Sequence, residues 1–399
     1  MLARVRIHYL VLLLLFLVLP IFDSINGVLV INGLIEEGGI ASPSQLGRAI
    51  LMALLIFVVY RTKLSIVPFF FLFFLLLVEF LYGFFHGEPY GVLLGIITAQ
   101  KLIYLLLLAI VLKSILDKGL LAQEDFFKLF QINLLILSLC LVFSTVTGLG
   151  NSTYGWGFGT KSFFSSGNGL GLYLGIGTTI LIGIRNYFYS DINFKILLVC
   201  SFSVALIGTK TALIFCIVNL TILLWTSKFR WLIFFGLSAV MPFLMDEVIS
   251  IVSVMFEVIT TRLSKSDNIM YYLGSGRIEY VTSAFEVFWK GDGSAFRLLF
   301  GSGALISFHS TTQPAFFDVL ETDLFDLIFM YGLVSACIYL GLSVFICYKL
   351  RKHTILFVAS LLLLGHSVVA GHVIFNGMSS VCFAIFYALS SNVTRLYRC

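Results

Sequence analysis

The residues able to do chemistry in this chain are few, and they sit at breaks in an apolar sequence. Gly208-Thr209-Lys210-Thr211 interrupts a run otherwise apolar from 196 to 226, placing a cation at the turn of a tight hairpin. Arg277 follows Gly274-Ser275-Gly276 at an expected helix start. A helix N-terminus offers N–H groups and the positive end of its dipole, which suit phosphate; an arginine adds a bidentate fork for phosphoryl oxygens. Without an anion, a cation there is mildly unfavourable. His309-Ser310 comes after a glycine turn, Gly301-Ser302-Gly303, and an imidazole with a pKa of about 6.5 is a natural base toward a hydroxyl group. Glu321, Asp323 and Asp326 stand just beyond. They either favour the N-terminus of the next helix or orient the histidine or a sugar. Each residue also has a plainer reading: Lys210 as an interfacial anchor, Arg277 as a solubilising charge, His309 as a structural loop residue.

Glu79 and Lys101 fall inside long apolar runs, where an ionisable group is costly and is a functional candidate by default. They could pair with each other, snorkel to an interface, or serve a proton or substrate. The seven cysteines show no CxxC or Cys/His spacing and read as small apolar packing residues. There is no DxD-like acidic cluster and no His/Cys ligand spacing, so the sequence points to no metal and no cofactor. Gly167-Asn168-Gly169-Leu170-Gly171 lacks the preceding strand that a dinucleotide loop needs. The Gly171–Gly175 spacing instead suits close helix packing.

The elements that must position these residues are membrane helices. Of the 399 residues 60% are apolar and 11% charged, against about 25% charged in a typical soluble domain. Aromatics at 16% are far too many for disorder. This composition excludes a soluble enzyme, a secreted disulfide scaffold and a nucleic-acid binder. Apolar runs long enough to span predict an all-α polytopic protein of about 12 transmembrane helices. Nine fall in residues 1–247, beginning with an uncleaved first helix, and three in 321–399. Residues 248–320 break the apolar rhythm and form one large loop. Within it Ile278, Val281, Phe285, Phe288 and Trp289 repeat at helical spacing and predict an amphipathic helix near 277–290. Its apolar face would lie on the membrane surface or against the spans. Placing the N-terminus inside puts 16 of the 25 basic residues, but only four of the 20 acidic ones, on the cytoplasmic side. That asymmetry obeys the positive-inside rule, and an even span count puts both termini in the cytoplasm and the large loop on the outer side.

The order of motifs completes the reading. An aromatic and glycine-rich outer loop carries Gly159-Thr160-Lys161-Ser162-Phe163-Phe164 and Gly167-Asn168; Gly208-Thr209-Lys210-Thr211-Ala212 follows. Then come Gly276-Arg277, Phe300-Gly301-Ser302-Gly303, His309-Ser310, Glu321-Thr322-Asp323 and Tyr331-Gly332. Over roughly 150–345 this order resembles the bacterial O-antigen polymerase and O-antigen ligase superfamily. The resemblance implies a metal-independent glycosyltransferase of the C-type membrane class, without cofactor, in the bacterial inner membrane. Its substrates would be undecaprenyl-diphosphate-linked oligosaccharides, used at the periplasmic face for lipopolysaccharide biosynthesis. Membrane lipids and a chain-length regulator protein join the expected partners. By the same resemblance Lys210 and Arg277 bind the donor diphosphate, His309 is the catalytic base, and Glu321, Asp323 and Lys161 support them. The first basic position, usually Arg, is Lys here, which supplies a point charge without a fork. The acidic run opening span ten looks more like the polymerases than the ligases. A lipid-linked sugar flippase is the least favoured alternative, because polar residues gather in one outer loop rather than at the midplane of related halves.

Overall fold

The computed structural model describes residues 2–35, 42–85, 89–154, 159–188, 192–227, 230–231, 235, 277–290, 294–304 and 320–396. Helices account for nearly all of it. In chain order they are α1 (Leu2–Leu13), a π-helical turn (Leu14–Val18), α2 (Leu19–Ile31), α3 (Pro43–Thr62), α4 (Val67–Phe85), α5 (Pro89–Leu116) and α6 (Leu120–Thr147). A small antiparallel ribbon follows, β1 (Asn151–Ser152) paired with β2 (Thr160–Ser162). The chain continues through α7 (Gly167–Tyr187), α8 (Phe194–Ala205), α9 (Lys210–Thr226), α10 (Arg277–Lys290), α11 (Ser294–Phe300), α12 (Asp323–Leu350), α13 (Thr354–Ala370) and α14 (Ser380–Leu396).

Among the described residues six helical stretches are long and apolar enough to cross a membrane: Ile7–Ile31, Pro43–Thr62, Gly95–Leu116, Gln123–Thr147, Gly167–Tyr187 and Asp323–Leu350. Five further apolar helices are shorter. Backbone groups in hydrocarbon must be satisfied within the segment, which leaves a helical chain of this composition little alternative. The molecule is an all-α, multi-pass membrane protein. The apolar run at 231–247 and most of the 248–320 loop lie outside the described residues.

α7 forms the centre of the bundle and is buried over almost its whole length. Its glycines let neighbours approach: a Cβ on Gly175 would stand 2.5 Å from the Phe215 ring of α9. Asn219 of α9 donates to the Gly175 carbonyl (3.0 Å) and accepts from Thr179 (2.6 Å), a buried polar staple between the two helices. A second staple holds the π-helical turn. Asn133 of α6 donates to the Phe16 carbonyl (2.6 Å) and accepts from the Tyr173 hydroxyl (2.6 Å).

α10 lies with its apolar side against the spans. Ala284 and Phe288 are buried, and Phe285 and Phe288 meet the Phe329 ring of α12 at 5.0 and 5.1 Å. α12 breaks at Gly332, whose φ of 78° is a left-handed value that favours glycine.

Candidate functional site

Several connections meet at one end of the bundle, and each begins with a helix cap. Ser42 caps α3 by accepting from the Gln45 amide, and Ser166 caps α7 by accepting from the Gly169 amide. Between these two N-termini, α2, α5 and the 371–379 connection lies a cavity of about 300 Å³. Its wall is polar and cationic: Asp23, Ser44, Arg48, Lys101, Ser165, Ser166, His372 and Asn376, with Phe164, Phe375 and Met378 supplying apolar surface.

Arg48 and Asp23 form a half-buried ion pair, with Nη2 2.8 and 3.1 Å from the two carboxylate oxygens. Ser44 donates to Asp23 at 2.5 Å and also receives the Arg48 guanidinium. The guanidinium packs on Gly377, where a Cβ would fall 2.0 Å from Nε. Lys101 is half-buried, and its ammonium makes no hydrogen bond or ion pair with any described residue. His372 sits in the left-handed region (φ 64°), held by Ser379, which donates to its carbonyl. Its Nε2 is buried without a hydrogen-bond partner among the described residues. Burial pushes the imidazole pKa down, Glu321 draws it up and Arg277 pushes it down again.

Neither of those two charges lines the cavity; both act on His372 through space. Arg277, at the first position of α10, donates to Glu321 at 2.7 Å. The arginine side chain is 13% exposed and the glutamate 54%, so the cation is the held partner and the carboxylate faces outward. Glu321 is itself left-handed (φ 56°), and a Cβ on Gly371 would meet its carbonyl oxygen at 2.5 Å. This close backbone contact carries the ion pair to His372. Asp323 accepts from Ser367 (2.9 Å) and from the Val373 amide (2.8 Å), and so ties α12 to the same connection. Asp326 caps the helix start by accepting from the Leu320 and Thr322 amides at 2.7 and 3.2 Å. Of the two readings open for this acidic run, the carboxylates of Asp323 and Asp326 serve the helix and its neighbour loop.

Glu79 does not pair with Lys101. Its carboxylate accepts from the Tyr331 hydroxyl (2.7 Å) and the Ala304 amide (3.0 Å). There the glycine turn docks on the break in α12: Ser302 and Gly303 donate to the Phe329 and Met330 carbonyls at 3.3 and 2.9 Å. A Cβ on Gly301 would strike the Met330 carbonyl at 2.2 Å.

Lys210 stands elsewhere. It is exposed at the first position of α9, behind the Thr209 cap, and does not line the 300 Å³ cavity. α8 has 12 residues, about 18 Å of helix, short of the ~30 Å hydrocarbon thickness. The turn after it is met by described residues of the loop that follows α6. Thr160 donates its amide to the Leu206 carbonyl (2.9 Å) and Thr153 its hydroxyl to that of Ile207 (2.6 Å). A groove of about 590 Å³ runs there, lined by Ser144, Asn151, Thr160, Gly208 and their neighbours, and it shares no lining residue with the first cavity. Lys161 is half-buried in β2, its stem against Gly167. His309 lies outside the described residues.

Asp23, Arg48, His372 and Asn376 are absent from the sequence-based candidates. Asp23 and Arg48 carried a usable signal, since each is an ionisable group at the edge of an apolar run. Among the described residues no three His, Cys, Asp or Glu side chains gather as a metal set. Fold and site define a multi-pass helical membrane protein with a cation-bearing polar cavity at one end. Comparison with family models, curated proteins and solved structures finds no match to the chain.

Proposed function

We propose that the chain is a bacterial inner-membrane polysaccharide polymerase. It transfers a growing glycan from undecaprenyl diphosphate to a lipid-linked repeat unit at the periplasmic face. The observation that carries this reading is Arg277, held by Glu321 within electrostatic reach of His372, which lines a cation-bearing cavity at the end of the bundle where the large loop joins. A lipid-linked donor is confined to the bilayer, so its site must lie where spans meet a polar loop. The charge asymmetry of the sequence makes that end periplasmic and leaves both termini cytoplasmic.

In this reading the acceptor hydroxyl attacks the anomeric carbon, the bond from that carbon to the diphosphate oxygen breaks, and the lipid diphosphate leaves. Arg277 meets the charge developing on the leaving group through its fork, while Lys210 offers a point charge at the separate groove beside Gly208. His309 takes the hydroxyl proton. Glu321 holds Arg277 in place. The acidic run opening α12 favours this reading over a ligase that delivers the same donor glycan to lipid A–core.

Deleting the gene and resolving the lipopolysaccharide on a gel separates the readings. Core carrying a single repeat supports the polymerase; bare core with polymer stranded on lipid carrier supports the ligase. Repeat units trapped on the cytoplasmic leaflet sink both.

A further inference from the structure

The roles just given leave the interior of the 300 Å³ cavity without an occupant. Of the charges on its wall, Asp23 is already engaged by Arg48 and Ser44. Lys101 is not engaged: its ammonium projects from α5 into the cavity wall and bonds no described residue. Arg48 and Asp326 reach it only through space. Asp326 is held by two backbone amides. An ammonium partly withdrawn from water without a bonded counter-charge is disfavoured, and an incoming anion relieves that. Neutral donors surround the same space. Asn376, on the wall, accepts the Met378 and Ser379 amides through Oδ1, and its Nδ2 packs against Gly169 of α7. The first turn of α7 adds the positive end of its dipole behind Ser165 and Ser166.

We infer that this cavity binds a phosphoryl anion, with Lys101 as its counter-charge and Arg48, braced by Asp23, as the second cation. The volume accommodates a diphosphate with ordered water, at about 30 Å³ per water. Phe164, Phe375 and Met378 accept an adjoining apolar or sugar portion. The inference deepens the proposed function and rests on it only for the source of the phosphate, a lipid diphosphate rather than a phospholipid headgroup.

The test uses the full chain in nanodiscs of phosphatidylcholine, titrated with inorganic diphosphate by calorimetry, with Lys101→Met and Lys101→Gln as variants. Diphosphate is expected to bind wild type, and both variants are expected to lose at least tenfold in affinity. Their Tm without ligand is expected to equal or exceed that of wild type. Unchanged binding in folded Lys101→Met overturns the site. A lowered Tm in both variants overturns the premise that Lys101 lacks a partner. Repeating the titration in phosphatidylglycerol nanodiscs separates the sources. If the headgroup abolishes diphosphate binding in wild type alone, the site stands and its occupant is the lipid. Intact diphosphate binding in a protein that transfers no glycan sinks the proposed function and leaves the site standing.

Discussion

The Tyr331 hydroxyl donates to Glu79 Oε1 over 2.7 Å, joining residues 252 positions apart beside the break in α12. The same carboxylate receives the Ala304 amide. Glu79 thereby fastens the glycine turn 301–303 to the carbonyls that the break at Gly332 exposes. The broken helix and the glycine turn at 301–303 are one mechanical unit.

Removing that carboxylate leaves two buried donors without an acceptor, each worth about 1–3 kcal/mol. Glu79→Ala is expected to lower stability by about 2 kcal/mol or more, whereas Glu79→Gln keeps an acceptor oxygen and loses under ~1 kcal/mol. Thermal unfolding in detergent micelles compares them. Hydrogen exchange at Ala304 should accelerate in the alanine variant alone. Equal losses in both variants would show that the negative charge, not the acceptor, matters.

The all-α, multi-pass membrane character was legible in the sequence because lipid forces about 20 apolar residues per crossing. The face of α10 was legible too: Val281, Phe285 and Phe288 fall at helical spacing, and it is these residues that pack toward α12. Whether that face met lipid or protein was not, since an amphipathic period names no partner. The site's electrostatics were hidden for the same reason. Asp23 meets Arg48 across a helical hairpin, Glu79 meets Tyr331 across most of the chain, and Lys101 meets neither acid. Only tertiary packing decides which intramembrane charges find partners. The left-handed backbone at Glu321 and His372 carries no sequence mark, because neither residue is glycine.

Gly377 bears on the Arg48 pair. A methyl group there would collide with the guanidinium Nε, and the arginine cannot yield without leaving Asp23. Gly377→Ala is expected to cost about 1–3 kcal/mol as a packing clash in a filled site. Asp23→Asn combined with Gly377→Ala should cost less than the sum of the two single changes, because both disturb the same pair. A double-mutant cycle on Tm checks this, and strict additivity would place the two residues in separate units.

Arg277→Lys keeps a charge for Glu321 but removes the fork. An ion pair this exposed on its acidic side contributes at most about 1 kcal/mol, so abundance and Tm should hold while polymer on a lipopolysaccharide gel is lost. His309→Ala should behave alike. Full chain length in His309→Ala would remove it as the base.

His372 provides a pH test. Burial, the largest influence, and Arg277 lower its pKa, opposed by Glu321. The folded state therefore favours neutral imidazole, and the unfolded chain binds the proton at higher pH. The stability this supplies is complete above the unfolded value of about 6.5 and is lost as pH falls below it toward the folded value. His353 is depressed in the same direction by burial and by Lys352, so the bare pH profile mixes the two. The difference between wild type and His372→Gln isolates one of them. Wild type should lose Tm relative to the variant as pH falls from about 7 to 5. Arg277→Gln should shrink that loss, because removing the cation raises the imidazole pKa toward its ordinary value. A difference that stays flat across this range would show that His372 titrates alike in the folded and unfolded chain.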